Sequence, residues 1–189
     1  MLFELGNMVS AQISYVEVLI PHMKALASQS GETVLLTVLS EYKAVCIEKI
    51  DTYRLIKLSL DRGSALPLHA GASSRILLAY QDDNFIDEML KKHKLNKYTQ
   101  HTIIDPVELK KELREVREKG FAFSDQEVDA GARAVSAPVF DHRGLLVAGL
   151  TAAGPRERIT GEKIQILINL VTAIARKASL ELGCRVYPK

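Results

Sequence analysis

Between Ala134 and Thr151 the chain spells out a β-hairpin, and that constrains its fold more than any other stretch. Ala134–Phe140 and Leu145–Thr151 are strand-length runs of small and β-branched residues. Asp141-His142-Arg143-Gly144 between them has turn chemistry. Phe121 and Phe123 begin a further strand just upstream. Earlier, Thr33–Leu39, Ala44–Ile50 and Arg54–Leu60 form three more runs, separated only by Glu41-Tyr42-Lys43 and Asp51-Thr52-Tyr53. Connections that short favour antiparallel pairing of neighbours. The chain is therefore expected to build an antiparallel sheet.

Helices enclose the strands. Val9, Ile13, Val16, Ile20, Met23 and Ala27 recur at three- and four-residue steps, one stripe of an amphipathic helix that the segment Ser28 to Gly31 stops. Pro21 lies inside it, so either the helix kinks there or a second helix starts with proline in its first turn. Asp61-Arg62-Gly63 closes the third strand. Pro67 then precedes a small-residue helix from about Ala70 to Tyr80, with Leu77 and Leu78 inward. A further helix from about Asp82 to His93 takes Asp82 as its cap.

Asp105-Pro106-Val107-Glu108 sets an N-cap acid, proline at N1 and glutamate at N3 ahead of Leu109, Leu113 and Val116, and Gly120 suits the C-terminal cap. Lys111–Glu115 and Glu115–Lys119 are spaced as ion pairs on a solvated face. After Gly154-Pro155, Thr160 is placed to cap a last helix carrying Ile164, Leu167, Ile168, Val171, Ile174 and Ala175, which runs to Gly183. Strands between helices of this order imply an α+β domain.

Composition narrows the function. With 25 Lys plus Arg against 23 Asp plus Glu, the 189-residue chain carries a formal +2, too little to mark a surface for DNA or anionic membrane. Glu17, Pro21, His22 and Lys24 interrupt the apolar run Val16–Leu26, and no basic segment precedes it, so neither a membrane span nor a signal peptide is expected. The two cysteines, Cys46 and Cys184, fit a reducing, cytoplasmic setting rather than a disulfide framework. Cys46, between Val45 and Ile47, reads as a small core side chain. Cys184 is free to be exposed at the end of the last helix.

Few residues point to chemistry. His69-Ala70-Gly71-Ala72-Ser73-Ser74 opens a helix, where unpaired N–H groups and small side chains make a place for a carboxylate, although capping and close packing explain the same residues. Arg75 can pair with an acid or point outward. Ser124, Asp125, Glu127 and Asp129 precede Gly131 with neither metal-loop spacing nor a nearby histidine, which favours a turn at the sheet edge. His22, His69, His93, His101 and His142 show no zinc-type spacing, so no metal or cofactor is expected. Phosphate-loop, nucleophile-elbow and dinucleotide fingerprints are missing.

Taken in order, Leu5-Gly6, Gly31-Glu32-Thr33, Pro67-Leu68-His69-Ala70 with Arg75, Glu127, Gly131, Arg133, Ala137-Pro138-Val139-Phe140-Asp141, Gly144 and Gly154-Pro155 resemble the effector-binding domain of IclR-type bacterial transcriptional regulators. The resemblance implies a GAF-like antiparallel sheet flanked by helices. It also implies a pocket between the sheet and the His69–Arg75 segment, and assembly as a homodimer or homotetramer. Residues 1–27 would be a linker helix, 28–183 the effector-binding domain and 184–189 a tail. DNA would be met only through a winged helix-turn-helix domain that precedes the linker in such regulators and is not part of this chain.

Carried over from organic-acid-sensing members, the effector-facing positions fall on Ala72, Ser73, Ser124, Ala134, Thr151 and Ala153. Ser124 and Ala134 stand where such members have an aspartate and a cysteine, and Thr151 and Ala153 where they have two serines. That trade of polar groups for room implies a somewhat larger or more apolar acid. The expected function is binding of a small organic acid without turnover, with no catalytic residue. Two other readings compete. One is a small hydrolase using Ser73, for which His69 is the only candidate base, or using the Asp125/Glu127 carboxylates. The other is a purely structural dimerisation module built on the first and last helices.

Overall fold

Successive residues of a strand face opposite sides of a sheet, and here the two sides have different compositions. A computed structural model describes residues 2–51 and 60–187, with side chains from Tyr15 onward. Its elements in chain order are α1 (Leu2–Ser30), β1 (Thr33–Ser40), β2 (Lys43–Ile50), β3 (Ala65–Pro67), α2 (Ala72–Ala79), α3 (Asp83–Lys92), α4 (Pro106–Lys119), β4 (Ala122–Asp125), β5 (Ala132–Phe140), β6 (Leu146–Pro155) and α5 (Gly161–Glu181). The strands form one antiparallel sheet of order β3-β2-β1-β6-β5-β4.

Val34, Leu36 and Val38 of β1, Val135, Ala137 and Val139 of β5, and Ala148, Leu150 and Ala152 of β6 project to one side. There they join Leu19, Met23 and Leu26 of α1 and Leu167, Val171 and Ala175 of α5 in the larger core. The other side is covered by α2, α3 and α4 through Ile76, Leu77, Met89, Leu109, Leu113 and Val116. The intervening residues of the same strands, Leu35, Ala134, Ser136, Gly149, Thr151 and Ala153, face this second layer together with Ser124 of β4. They are mostly small, so a gap can open beneath α2.

α1 passes through Pro21 as one helix, so proline interrupts a single element rather than starting a second. Asp82 Oδ1 caps α3 by accepting from Phe85 N (2.8 Å), and Asp105 Oδ1 caps α4 from Glu108 N (2.8 Å). Gly120 closes α4 in the left-handed conformation. Thr160 occupies the N-cap of α5 without a side-chain bond. Of the two pairs expected on α4, Glu115 bonds Lys119 at 2.7 Å.

The run Arg54–Leu60 lies outside the described residues except for Leu60, which is buried. Two expectations change. The strand beside β2 is Ala65–Pro67, so Pro67 sits at a sheet edge instead of just ahead of the helix, an allowed place for a residue without an N–H. Cys184 is buried: its amide donates to Ser179 O (2.9 Å), which folds the chain after α5 back onto the domain. Cys46 lies in the core as expected, and burial pushes its thiol up to about 11.

Two separated sequence motifs meet in space. The buried Glu32, in the α1–β1 turn, takes a two-pronged ion pair from Arg158 (Nε–Oε1 3.0 Å, Nη2–Oε2 2.5 Å). Its carboxylate lies where a Cβ on Gly154 would press on it, so a larger residue at 154 would have to displace the Glu32 side chain from its ion pair.

The β5–β6 turn depends on Asp141, whose residue exposure is 0%. Its carboxylate accepts from Arg143 N (2.9 Å), Leu145 N (3.0 Å) and Arg143 Nε (3.0 Å). Burial alone would raise its pKa, but these donors outweigh it and hold the carboxyl below the usual 3.8. Asp141→Ala is expected to cost about 1.5–3 kcal/mol in urea unfolding at neutral pH. Because the folded pKa is depressed, the stabilisation is present above about 3.8 and is lost as pH falls through the lower folded value. The stability gap between wild type and Asp141→Asn should therefore narrow only in strong acid.

Candidate functional site

Gly71 shapes the start of α2. Its φ of 86° suits glycine, and an added Cβ would press on Val128 Cγ2 at 3.1 Å. No side chain caps the helix, and the bond that closes its first turn runs from Arg75 N to Gly71 O (3.0 Å). The amides of Ala72, Ser73 and Ser74 precede that bond and have no acceptor within the helix, so they form a patch of positive potential.

Opposite this patch the sheet presents two adjoining cross-strand rows. One is Ser124–Ala134–Ala153–Thr33 and the other is Ala122–Ser136–Thr151–Leu35. Between helix and sheet lies a hollow of about 70 Å³, several times the ~10–15 Å³ that one water requires. It is lined by all six residues carried over from the family, namely Ala72, Ser73, Ser124, Ala134, Thr151 and Ala153. Ser73 and Ser124 are each only 5% exposed, and neither hydroxyl has a hydrogen-bond partner among the described residues. The Thr151 hydroxyl differs, since it bonds Ser136 Oγ at 2.9 Å.

Glu127 is the lining residue that sequence reasoning assigned to a turn. It is buried and accepts from Gly71 N (3.3 Å) and from Arg75 Nη1. Arg75, 1% exposed, turns inward rather than to solvent, also donates from Nη2 to Phe123 O, and brings Nε within 3.8 Å of Glu112 Oε1. The acidic segment is thus divided: Ser124 and Glu127 face the hollow, while Asp125 pairs with Arg133 across the strands (2.8 Å), which holds its carboxyl below the usual range. Leu35, Leu60, Leu66 and Val128 supply the apolar wall. The period-2 alternation that exposes Thr151 to the hollow also exposes Leu35. For Glu127 the signals were its place in the acidic segment and in the set of residues that carry the family resemblance.

His69 does not serve Ser73. Its Nε2 donates to Asn96 O (2.9 Å) and its ring stacks on Tyr98 at 5.9 Å, while burial pushes its pKa down. The segment it braces is tied to the wall of the hollow, because Thr102 Oγ1 donates to Glu127 O and Thr99 Oγ1 to Gln126 O, both at 2.6 Å. Among the described residues no cluster of His, Cys, Asp and Glu is arranged to hold a metal, and no helix is long and apolar enough to cross a membrane.

The family model described as "Bacterial transcriptional regulator IclR C-terminal" matches residues 8–180. This chain belongs to the IclR family. The IclR-family domain is 29% identical to the transcriptional repressor IclR of Escherichia coli over 183 residues, 96% of this chain and 67% of that protein. It superposes on the crystal structure of Thermotoga maritima IclR with a TM-score of 0.86 at 30% identity, covering 96% of this chain and 74% of that one. The C-terminal domain of E. coli KdgR gives a TM-score of 0.80 at 30% identity, covering 89% of this chain and 98% of that one. The chain spans 60–71% of the length of three curated relatives it matches. Such regulators are not enzymes.

The Arg75–Glu127 pair holds both sides of the hollow together. Arg75→Ala would leave a buried carboxylate without its cation, and is expected to lower stability by about 3–5 kcal/mol in denaturant unfolding. Lys92→Ala, removing an exposed partner of Glu88 on α3, should lower stability far less than Arg75→Ala.

Proposed function

We propose that this IclR-family domain senses a small organic acid, received in the hollow between α2 and the sheet. In this reading the carboxylate sits against the amides of Ala72 and Ser73, and the Ser73 and Ser124 hydroxyls donate to it. The observation that carries the reading is the convergence of unpaired helix amides and two buried, unpartnered hydroxyls on one hollow. Charge-assisted bonds of this kind contribute about 1.5–3 kcal/mol each, so two or three orient a small ligand. The apolar wall favours an acid with an aliphatic body. The small volume favours a short one over the larger acid that the alanines at 134 and 153 suggest in isolation, because Leu35, Leu60, Leu66 and Val128 occupy much of the room.

Residues 28–183 would then be the sensing unit and 1–27 the helix that links it to a winged helix-turn-helix domain elsewhere in the protein, in a cytoplasmic homodimer or homotetramer. Ligand binding regulates only through differential affinity for two arrangements of such an assembly. Acid bound more tightly by one arrangement changes the spacing of the DNA-reading domains.

Thermal-shift and calorimetric titration with short-chain acids tests the reading. Saturable stabilisation without product is expected. Ser73→Ala should weaken binding about tenfold, near 1.4 kcal/mol. Ala153→Val, which adds two methyl groups to the floor of the hollow, should abolish binding while the fold persists. Unchanged affinity in both variants would contradict the site. Ester turnover lost on Ser73→Ala would favour an enzyme instead.

A further inference from the structure

Away from the hollow, a groove of about 580 Å³ runs between the last turn of α4 and the outer face of α5, with Tyr187 beside them. Sites for small ligands commonly measure about 300–1,000 Å³. Phe121, Ile168 and the Tyr187 ring give the groove apolar surface, Arg117, Lys119 and Arg176 bring positive charge, and Glu118 is the one carboxylate in its lining. Tyr187 is fixed in place, because its hydroxyl donates to Pro138 O and its ring meets Phe140 edge-on at 5.1 Å.

The protein answers only one of the three cations with a carboxylate. Lys119 Nζ donates to Glu115 Oε2 (2.7 Å), and that bond, with Glu112 and Glu118 nearby, raises its pKa. The two guanidiniums differ. Arg176 is exposed on α5 and makes no hydrogen bond or ion pair among the described residues. Arg117 donates from Nε to Ala79 O and from Nη2 to Gln81 O, the carbonyls on either side of Tyr80, which leaves Nη1 for another acceptor. No described carboxylate comes within ion-pair distance of Arg117. The Tyr80 hydroxyl, enclosed near Arg117, has no hydrogen-bond partner either. Burial pushes the Tyr187 phenol up, Tyr80 adds to that push and Arg176 opposes it, so the four groups share one electrostatic neighbourhood. Two cations without a counter-ion and a buried phenol without an acceptor lack the same thing, an anion with several acceptor oxygens.

We infer that this groove is a second binding site, for a phosphate monoester with a flat apolar body. Such a group carries about −1.5 to −2 near neutral pH, which matches two free guanidiniums, whereas a carboxylate supplies a single charge. Its oxygens also suit the forked N–H geometry of arginine. The body of the ligand covers Phe121, Ile168 and Tyr187. Arg117 grips the carbonyls where α2 ends, so the groove lies at the opposite end of that helix from the hollow. The site does not depend on the acid-sensing reading.

Phenyl phosphate is the probe, titrated calorimetrically into the wild-type chain at neutral pH beside inorganic phosphate, which lacks the body, and benzoate, which carries one charge. It should bind saturably and at least about tenfold more tightly than either. Arg176→Gln removes a side chain that no other protein group holds, so the fold persists, and should weaken phenyl phosphate about tenfold or more. Arg117→Gln should weaken it to a similar extent, and if that variant does not fold, Arg176→Gln decides alone. Ser73→Ala, in the hollow, should bind phenyl phosphate as the wild type does. Absence of saturable binding, or equal affinity in wild type and Arg176→Gln, overturns the second site. Loss of binding on Ser73→Ala would move the anion to the hollow and overturn it equally. Lactate binding to a wild-type chain that ignores phenyl phosphate would leave the role of the hollow standing while this site falls.

Discussion

A guanidinium out of water must be answered by an anion, and the arrangement around the hollow follows from how Arg75 is answered. Arg75 begins at the first turn of α2 and ends among groups from three other elements: Glu127 after β4, Phe123 O within β4 and Glu112 on α4. That one side chain fixes how far α2 stands from the sheet edge and pins the loop after β4 as a wall. Only its Nε is left without a hydrogen bond.

The space itself comes from what the strands lack. On the face under α2, positions 134, 149 and 153 are Ala, Gly and Ala, while the opposite face of the same strands is filled with Val, Leu and Ala against α1 and α5. Gly149 lets α2 approach closely, since a Cβ there would come within 2.7 Å of Ile76 Cγ2. One end of α2 is therefore clamped onto the sheet. The other end, beginning at Gly71, is held off it with its amides unpaired. The hollow lies where the clamp ends.

Much of this was legible because it depends on local rules. Strand-length runs around a turn located the hairpin, and the family resemblance supplied the sheet positions 124, 134, 151 and 153. Asp82, Asp105 and Gly120 marked helix boundaries through capping, and the structure keeps all three. What sequence missed depends on long-range geometry. A three-residue strand containing proline, Ala65–Pro67, has no periodicity to read. The burial of Cys184 follows from a chain reversal after α5. The role of Glu127 required knowing that Arg75, 52 residues away in sequence, points at it. Glu32 and Gly154 were noted as separate motifs, and only the fold shows that one rests on the other.

The central claim is that the amides opening α2 receive a small carboxylate, and backbone NMR observes those amides directly. Titrating the isotopically labelled chain with lactate should move the amide resonances of Ala72 and Ser73 saturably and downfield, as new hydrogen bonds to an anion require. All resonances lining the hollow should follow one binding curve. Saturation by lactate with those two amides unmoved, and the shifts confined to another surface, would contradict the account.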